Sequence, residues 1–129
     1  MKRIVVILNP AARGERAHRL QERVQAIARG AELRFTELAG EAEALARAAV
    51  EEGFTSIVAA GGDGTVNEVV NGIAGTDVTL GLLPLGTMNV YAAELGLPAN
   101  DLDACWRIIT EGHTRHVDPY ALRNVYGLR

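Results

Sequence analysis

Short unbroken apolar runs alternate with amphipathic helical stripes along the whole chain, and this alternation restricts the fold more tightly than any other feature. Ile4-Val5-Val6-Ile7-Leu8 is a β-branched run stopped by Asn9-Pro10, the pattern of a strand buried on both faces. After the small-residue loop Ala11 to Gly14, Leu20, Val24 and Ile27, flanked by Ala17 and Ala28, recur every three or four residues over Glu15 to Arg29. They predict a helix that Gly30 stops. Glu32 to Leu38 alternates as a second strand, with Leu33 and Phe35 on one side and Thr36 on the other. Glu41 to Glu52 repeats through Ala42, Leu45, Ala49 and Val50 as a helix with Gly53 as its C-terminal cap. Ser56 to Ala60 is a third buried strand that runs straight into Gly61-Gly62-Asp63-Gly64-Thr65. From Thr65 the spacing of Val66, Val69, Val70 and Ile73 predicts a helix ending at Gly75. A fourth strand follows over Leu80 to Leu83, then a turn over Pro84 to Thr87 and a short helix from Met88 to Leu95 closed by Gly96. The last elements are a helix over Asp101 to Glu111 and a strand over Thr114 to Val117.

Strand–helix alternation of this kind predicts an α/β fold, a three-layer parallel sheet with helices on both faces and right-handed crossovers. Hydrophobic residues make up 48% of the sequence but aromatics only 5%, so the core must be built from Ala, Val, Ile and Leu. At 129 residues the chain is the size of one domain, large enough to fold without a metal or disulfide staple and short for a multidomain enzyme. Thirteen basic and sixteen acidic residues leave a net charge of −3, which supplies no basic footprint for nucleic acid. There is likewise no polybasic patch for anionic lipid, so membrane contact is expected to be peripheral at most. Ile4 to Leu8 is far too short to span a bilayer, and Met1-Lys2-Arg3 is followed by no signal-peptide apolar region. Cys105 stands alone, which fits a reducing, cytoplasmic setting.

In parallel sheets ligands bind beyond the carboxyl ends of the strands. Three strands run into small-residue loops at that edge: Asn9, Pro10, Ala11, Ala12, Arg13 and Gly14; Gly61 to Thr65; and Pro84 to Thr87. The second loop is the most informative. Its glycines let backbone approach a ligand closely, and the free N–H groups of the following helix favour phosphate oxygens. It has neither the G-x-G-x-x-G spacing of dinucleotide sites nor the Gly-Lys-Ser/Thr of a Walker A loop. Asp63 is the odd member. A carboxylate about 4 Å from a phosphate charge is repelled by about 4 kcal/mol at an effective dielectric of 20. It is tolerable there if a cation bridges the two or if it handles the proton of an attacking hydroxyl, and the plainer alternative is a cap near the helix start. Thr65, Asn67 and Glu68 together supply a hydroxyl, an amide and a carboxylate to one nucleotide and its metal, although Glu68 fits a solvated helix face equally well. Arg13 is the only basic residue of the first loop, suited either to a phosphate or to solvent. His18, His113 and His116 lack neighbouring ligands at metal spacing and read as surface residues, while Cys105 and Trp106 read as packing on an amphipathic helix.

The run Gly61-Gly62-Asp63-Gly64-Thr65-Val66-Asn67-Glu68-Val69-Val70-Asn71-Gly72 resembles the nucleotide-binding signature of the diacylglycerol kinase catalytic domain, a family that includes bacterial diacylglycerol kinases, related lipid kinases, and sphingosine and ceramide kinases. Asn9-Pro10 with Gly14 behind it, and Pro84-Leu85-Gly86-Thr87-Met88-Asn89 followed by Leu95-Gly96-Leu97-Pro98, agree in order and spacing, so the match runs from about Ile4 to Asp118. The resemblance implies the N-terminal domain of the NAD kinase/diacylglycerol kinase-like fold. It implies ATP and Mg²⁺ as cofactors and a lipid hydroxyl as acceptor. By position, Asn9 to Gly14, Thr36, Gly61, Gly62, Asp63, Gly64, Thr65, Val66, Asn67, Glu68 and Thr87 would surround the nucleotide, with Asp63 as metal ligand or, second, as catalytic base. The chain departs from the family pattern at Val90, where an Asp is common, and at Ala93, where a basic residue is common.

Family members carry a second, β-rich domain that holds much of the lipid site and a catalytic acidic residue. Residues 1–118 correspond to the ATP-binding domain, and 119–129 to the start or remnant of the second. The expected function is therefore nucleotide binding within an ATP- and Mg²⁺-dependent lipid kinase, with catalysis by this chain alone in question. The alternatives are a non-catalytic ATP-binding module and a NAD kinase-like enzyme, which shares a Gly-Gly-Asp-Gly loop. Without the second domain, an apolar patch around the last strand is expected to pair two copies as a homodimer.

Overall fold

A computed structural model describes residues 3–10, 15–86, 88–112 and 114. Among them the chain forms β1 (Ile4–Leu8), α1 (Glu15–Ile27), β2 (Glu32–Phe35), α2 (Glu41–Glu51), β3 (Ser56–Gly61), α3 (Asp63–Ile73), β4 (Thr79–Pro84), α4 (Val90–Glu94) and α5 (Leu102–Glu111). The four strands pair in the order β2-β1-β3-β4, all parallel, with Val5 opposite Glu32 and Ile57, and Ala60 opposite Leu83. The expected α/β sheet with helices on both faces is therefore present. The strand expected over Thr114 to Val117 lies outside the described residues, apart from Thr114.

The period-2 alternation of the strands sorts the core into two layers. Val5 and Ile7 of β1, Ile57 and Ala59 of β3 and Leu82 of β4 face α2, α3 and α4, where they meet Ala42, Ala46, Val66, Val69 and Tyr91. Val6, Leu8, Val58, Ala60 and Leu83 face α1 and α5, where they meet Val24, Ala28, Leu102 and Cys105. Small side chains allow unusually close helix packing. A Cβ on Gly72 of α3 would lie 2.6 Å from the Glu43 carbonyl and 2.8 Å from Ala46 Cβ of α2, so the two helices touch backbone to side chain there. Gly81 of β4 makes the same allowance for Ile109 of α5, whose Cδ1 would be 2.9 Å from a Cβ. This is how a core with few aromatics reaches native density.

Element ends differ from expectation by a few residues, each for a local reason. β2 stops at Phe35 rather than Leu38, although the Thr36 N–H still donates to the Leu8 carbonyl at 3.1 Å. α1 ends at Ile27 rather than Arg29, before Gly30 at φ +84°. α3 begins at Asp63, not Thr65, because Gly62 is extended and its carbonyl already accepts from the Val66 N–H at 3.2 Å. α4 begins at Val90, not Met88, because Asn89 adopts the left-handed conformation at φ +51°.

The opposite, amino-terminal edge of the sheet is fastened by charge. Arg34 grips both oxygens of Glu52 at 2.9 and 2.7 Å while Arg3 stacks 4.3 Å above the Phe54 ring and donates to the Glu52 carbonyl at 2.7 Å. Arg34 holds the Glu52 carboxyl below its ordinary range, chiefly through the hydrogen bonds, and its own guanidinium is pushed upward for the same reason.

Candidate nucleotide site

The chain runs outward in one direction from β1 to β2 and in the other from β3 to β4, so the crevice between the carboxyl ends of β1 and β3 is the topological switch point. Asn9 stands at one lip and Gly61 to Asp63 at the other. Backbone bonds extend the sheet to this point: the Asn9 N–H donates to Ala60 O at 3.1 Å, and the Leu85 N–H to Gly61 O at 2.9 Å.

Three polar side chains from three separate elements join here. The Thr36 hydroxyl donates to Asn9 Oδ1 at 3.2 Å, and Asn9 Nδ2 donates to Thr65 Oγ1 at 3.2 Å. Thr36 and Thr65 are both buried. This polarity fixes the Asn9 amide and fills one acceptor position of the Thr65 hydroxyl, leaving that hydroxyl oriented to donate. Thr36, which the strand pattern alone would leave as an ordinary β residue, is thus tied into the site.

The glycines differ in what they allow. At Gly61 a Cβ would lie 2.5 Å from Thr65 Oγ1, so this glycine makes room for the threonine side chain. Gly62 and Gly86 bring two loops into backbone contact, since a Cβ on Gly86 would lie 2.9 Å from the Gly62 Cα. Gly64 has open space around it. Among the described residues nothing in the packing requires a glycine at Gly64, although a helical glycine is less favourable than alanine by roughly 0.5–1 kcal/mol.

Asp63 does not cap its own helix. Its two oxygens accept from the N–H groups of Val90 at 3.0 Å and Tyr91 at 3.1 Å, the first residues of α4. Asn89, the N-cap of α4, is engaged elsewhere: its Oδ1 accepts from the Gly86 N–H at 3.0 Å and its Nδ2 donates to the Gly86 carbonyl at 2.8 Å. Glu68 reaches the other way and accepts from the Ala42 N–H of α2 at 3.1 Å. Val66 places its side chain in the core, so only its backbone faces the turn. Asn67 accepts from Asn71 Nδ2 at 3.4 Å. A small pocket lies between Gly61, Gly62, Asp63, Pro84, Asn89 and Tyr91.

Asn9, Thr36, Gly61, Gly62, Asp63, Gly64 and Thr65 therefore gather at one edge, with Gly86 against them. Pro10 is exposed beside Asn9. Ala11, Ala12, Arg13, Gly14 and Thr87 lie outside the described residues, as do His113 and His116. His18 is exposed and paired with Glu22 at 2.8 Å, and Cys105 is buried, with its Sγ donating to the Pro98 carbonyl at 3.3 Å. Sequence patterning brings the Pro84 to Thr87 loop to this edge but gives Gly86 and Asn89 no individual role; an Asn three residues after a Gly in a strand-to-helix turn is the signal that could supply it.

Among the described residues no cluster of three or more His, Cys, Asp or Glu is arranged to hold a metal ion, and no helix is long and apolar enough to cross a membrane. A metal that arrives with a nucleotide needs no such cluster, because Mg²⁺ is commonly held by one or two carboxylates plus phosphate oxygens and water. Each Asp63 oxygen takes a single N–H and keeps lone pairs, which fits that modest demand.

Comparison with known proteins bears on the family and the fold. The model of the diacylglycerol kinase catalytic domain matches residues 3–122. A diacylglycerol kinase of Bacillus subtilis is 38% identical over 124 residues, covering 92% of this chain and 41% of that protein. One from Staphylococcus aureus is 43% identical over 93 residues, covering 70% of this chain and 29% of that protein. A crystal structure of a diacylglycerol kinase from Bacillus anthracis superposes with a TM-score of 0.75 at 26% identity, covering 90% of this chain and 41% of that one. The chain thus spans about two-fifths of the length of the longer-matching relatives. With the family's model matched over residues 3–122 and its fold shared with a solved diacylglycerol kinase structure, the chain belongs to the diacylglycerol kinase catalytic domain family.

Proposed function

We propose that this chain is the ATP-binding domain of a lipid kinase, holding ATP with Mg²⁺ for transfer of the γ-phosphoryl group to the hydroxyl of a diacylglycerol-like lipid. The observation that carries the reading is the hydrogen-bonded series Thr36, Asn9, Thr65 at the switch point beside the glycine turn, where the backbone of Gly64 has open space. Together they present a donating hydroxyl and helix N–H groups where phosphate oxygens would lie. Phosphoryl transfer asks the protein mainly for positioning and charge neutralisation. The acceptor oxygen bonds to the γ-phosphorus, the bond to the bridging oxygen of ADP breaks, and the acceptor proton needs a base. Mg²⁺ neutralises phosphate charge when bound. It would be carried by the phosphate oxygens and water. Thr36, Asn9 and Thr65 orient the phosphates, and the Gly62–Gly86 contact keeps two loops close to them. The lipid and the base belong to the β-rich domain that the family resemblance implies.

Incubation of the purified chain with γ-labelled ATP, Mg²⁺ and, separately, diacylglycerol, sphingosine or NAD tests this. The reading expects ATP binding, transfer to diacylglycerol when the rest of the kinase is present, and none to NAD. Transfer to NAD, or strong lipid phosphorylation by the isolated chain, would contradict it in different parts.

A further inference from the structure

α3 directs both its carboxylates away from its own N-terminus, each to the start of a neighbouring helix. Asp63 takes the first two N–H groups of α4, and Glu68 takes the Ala42 N–H of α2. Neither receiving helix is capped by the side chain of its own N-cap residue. The N-cap of α2 is Gly40, and the N-cap of α4 is Asn89, whose amide closes the turn on Gly86.

We propose that Asp63 is a positioning residue, whose carboxylate joins the start of α3 to the start of α4 and thereby sets the Gly86–Asn89 turn against the glycine turn. The geometry has four connected parts. Asp63 is the first residue of α3, immediately after Gly62. Gly62 and Gly86 are in backbone contact. Gly86 is locked to Asn89 by two reciprocal hydrogen bonds. Asn89 leads, through its left-handed backbone, into the two N–H groups that Asp63 holds. The result is a closed ring of contacts around the small pocket, and the Asp63 side chain is the bridge between its two halves. It also answers the charge problem at the turn. A carboxylate beside phosphates is tolerated because its charge is turned onto the first N–H groups of a helix, where carboxylates are favoured. A bridging cation is not required for that, and neither is a proton-transfer duty.

The effect on ATP rests on the nucleotide-binding reading above, whereas the joint between the helices is testable without ligand. The experiment uses the full chain and three variants, Asp63→Asn, Asp63→Ala and Glu68→Gln. Asn keeps one acceptor at nearly the same size, Ala keeps none, and Gln keeps the acceptor that serves Ala42. Amide hydrogen exchange without nucleotide is expected to speed up at Val90 and Tyr91 by about tenfold or more in Asp63→Ala, less in Asp63→Asn, and not in Glu68→Gln. Calorimetry with ATP at low and high Mg²⁺ is expected to give weaker binding in the order wild type, Asn, Ala, by about tenfold for Ala, with the same relative response to Mg²⁺ in all three. Unchanged exchange at Val90 and Tyr91 in either Asp63 variant would overturn the proposal, whether or not ATP binds. So would loss of the Mg²⁺ response in Asp63→Asn with exchange intact, which is the result for a metal ligand.

Discussion

The Thr36 hydroxyl donates to the Asn9 side-chain carbonyl at 3.2 Å, joining the edge strand β2 to the end of the central strand β1 across the floor of the site. Because Asn9 in turn donates to Thr65, the orientation of a hydroxyl on α3 depends on a threonine that leaves the far edge of the sheet, two strands away from β3. Replacing Thr36 by Val keeps its shape and removes that donor. We expect a loss of about 1 kcal/mol in stability, a fall of about 4 °C in Tm, and about tenfold weaker ATP binding, read by calorimetry and thermal melts. Thr36→Ser should retain most of both.

Gly61→Ala and Gly64→Ala should separate fold from function. At Gly61 the added methyl would collide with Thr65 Oγ1 at 2.5 Å, so melting temperature should fall and ATP binding with it. At Gly64 the space is open, and alanine should leave stability unchanged or raise it by up to about 1 kcal/mol while weakening ATP. A Gly64→Ala chain that binds ATP as well as wild type would show that close ligand approach is not why a glycine stands at that position.

Gly72→Ala tests the close seam between α2 and α3. With the Glu43 carbonyl 2.6 Å from the new Cβ, the helices must separate, at a cost of about 1–3 kcal/mol in denaturant unfolding. Since Glu68 and Ala42 lie along the same seam, exchange at the Ala42 amide should also rise.

Two surface carboxyls shape the acid limb of stability. Glu41 accepts from the N–H groups of Glu37 and Leu38, and Glu52 pairs with Arg34; both folded-state values lie below the ordinary one. A lowered value means that the contribution is complete above the unfolded pKa of about 4.3 and disappears as pH falls through the folded value. Glu41→Gln should therefore lower stability at neutral pH and flatten its fall below about pH 4, as measured by urea midpoints across pH. At the other extreme, burial first and Asp101 second push the Cys105 thiol up to about 11. It should react with a disulfide reagent at neutral pH only after unfolding.

Much of this arrangement is legible in the sequence because it is periodic or local. Apolar runs mark β1, β3 and β4 and alternation marks β2, and the three loops follow from where the runs stop. The starts of α3 at Asp63 and of α4 at Val90 are not legible in that way, since both depend on backbone conformations, extended Gly62 and left-handed Asn89, that side-chain periodicity does not encode. Asp63 and Glu68 are harder still. Their partners lie 27 and 26 residues away, outside any window that capping rules inspect. Thr36 carries no signal of its own beyond polarity in a strand, and only the family resemblance marks it. Gly72 and Gly81 read as ordinary helix and strand interruptions until the neighbouring element is in place.

The central claim is that the carboxyl edge of this sheet holds a nucleotide. Titrating ATP with Mg²⁺ into the isotopically labelled chain, and following each backbone amide, tests it most directly. Saturable shifts should centre on Asn9, Thr36, Gly61 to Thr65 and Gly86, and leave the Arg34–Glu52 edge unmoved. A folded chain with no saturable shifts, or with shifts centred on that opposite edge, would contradict the claim.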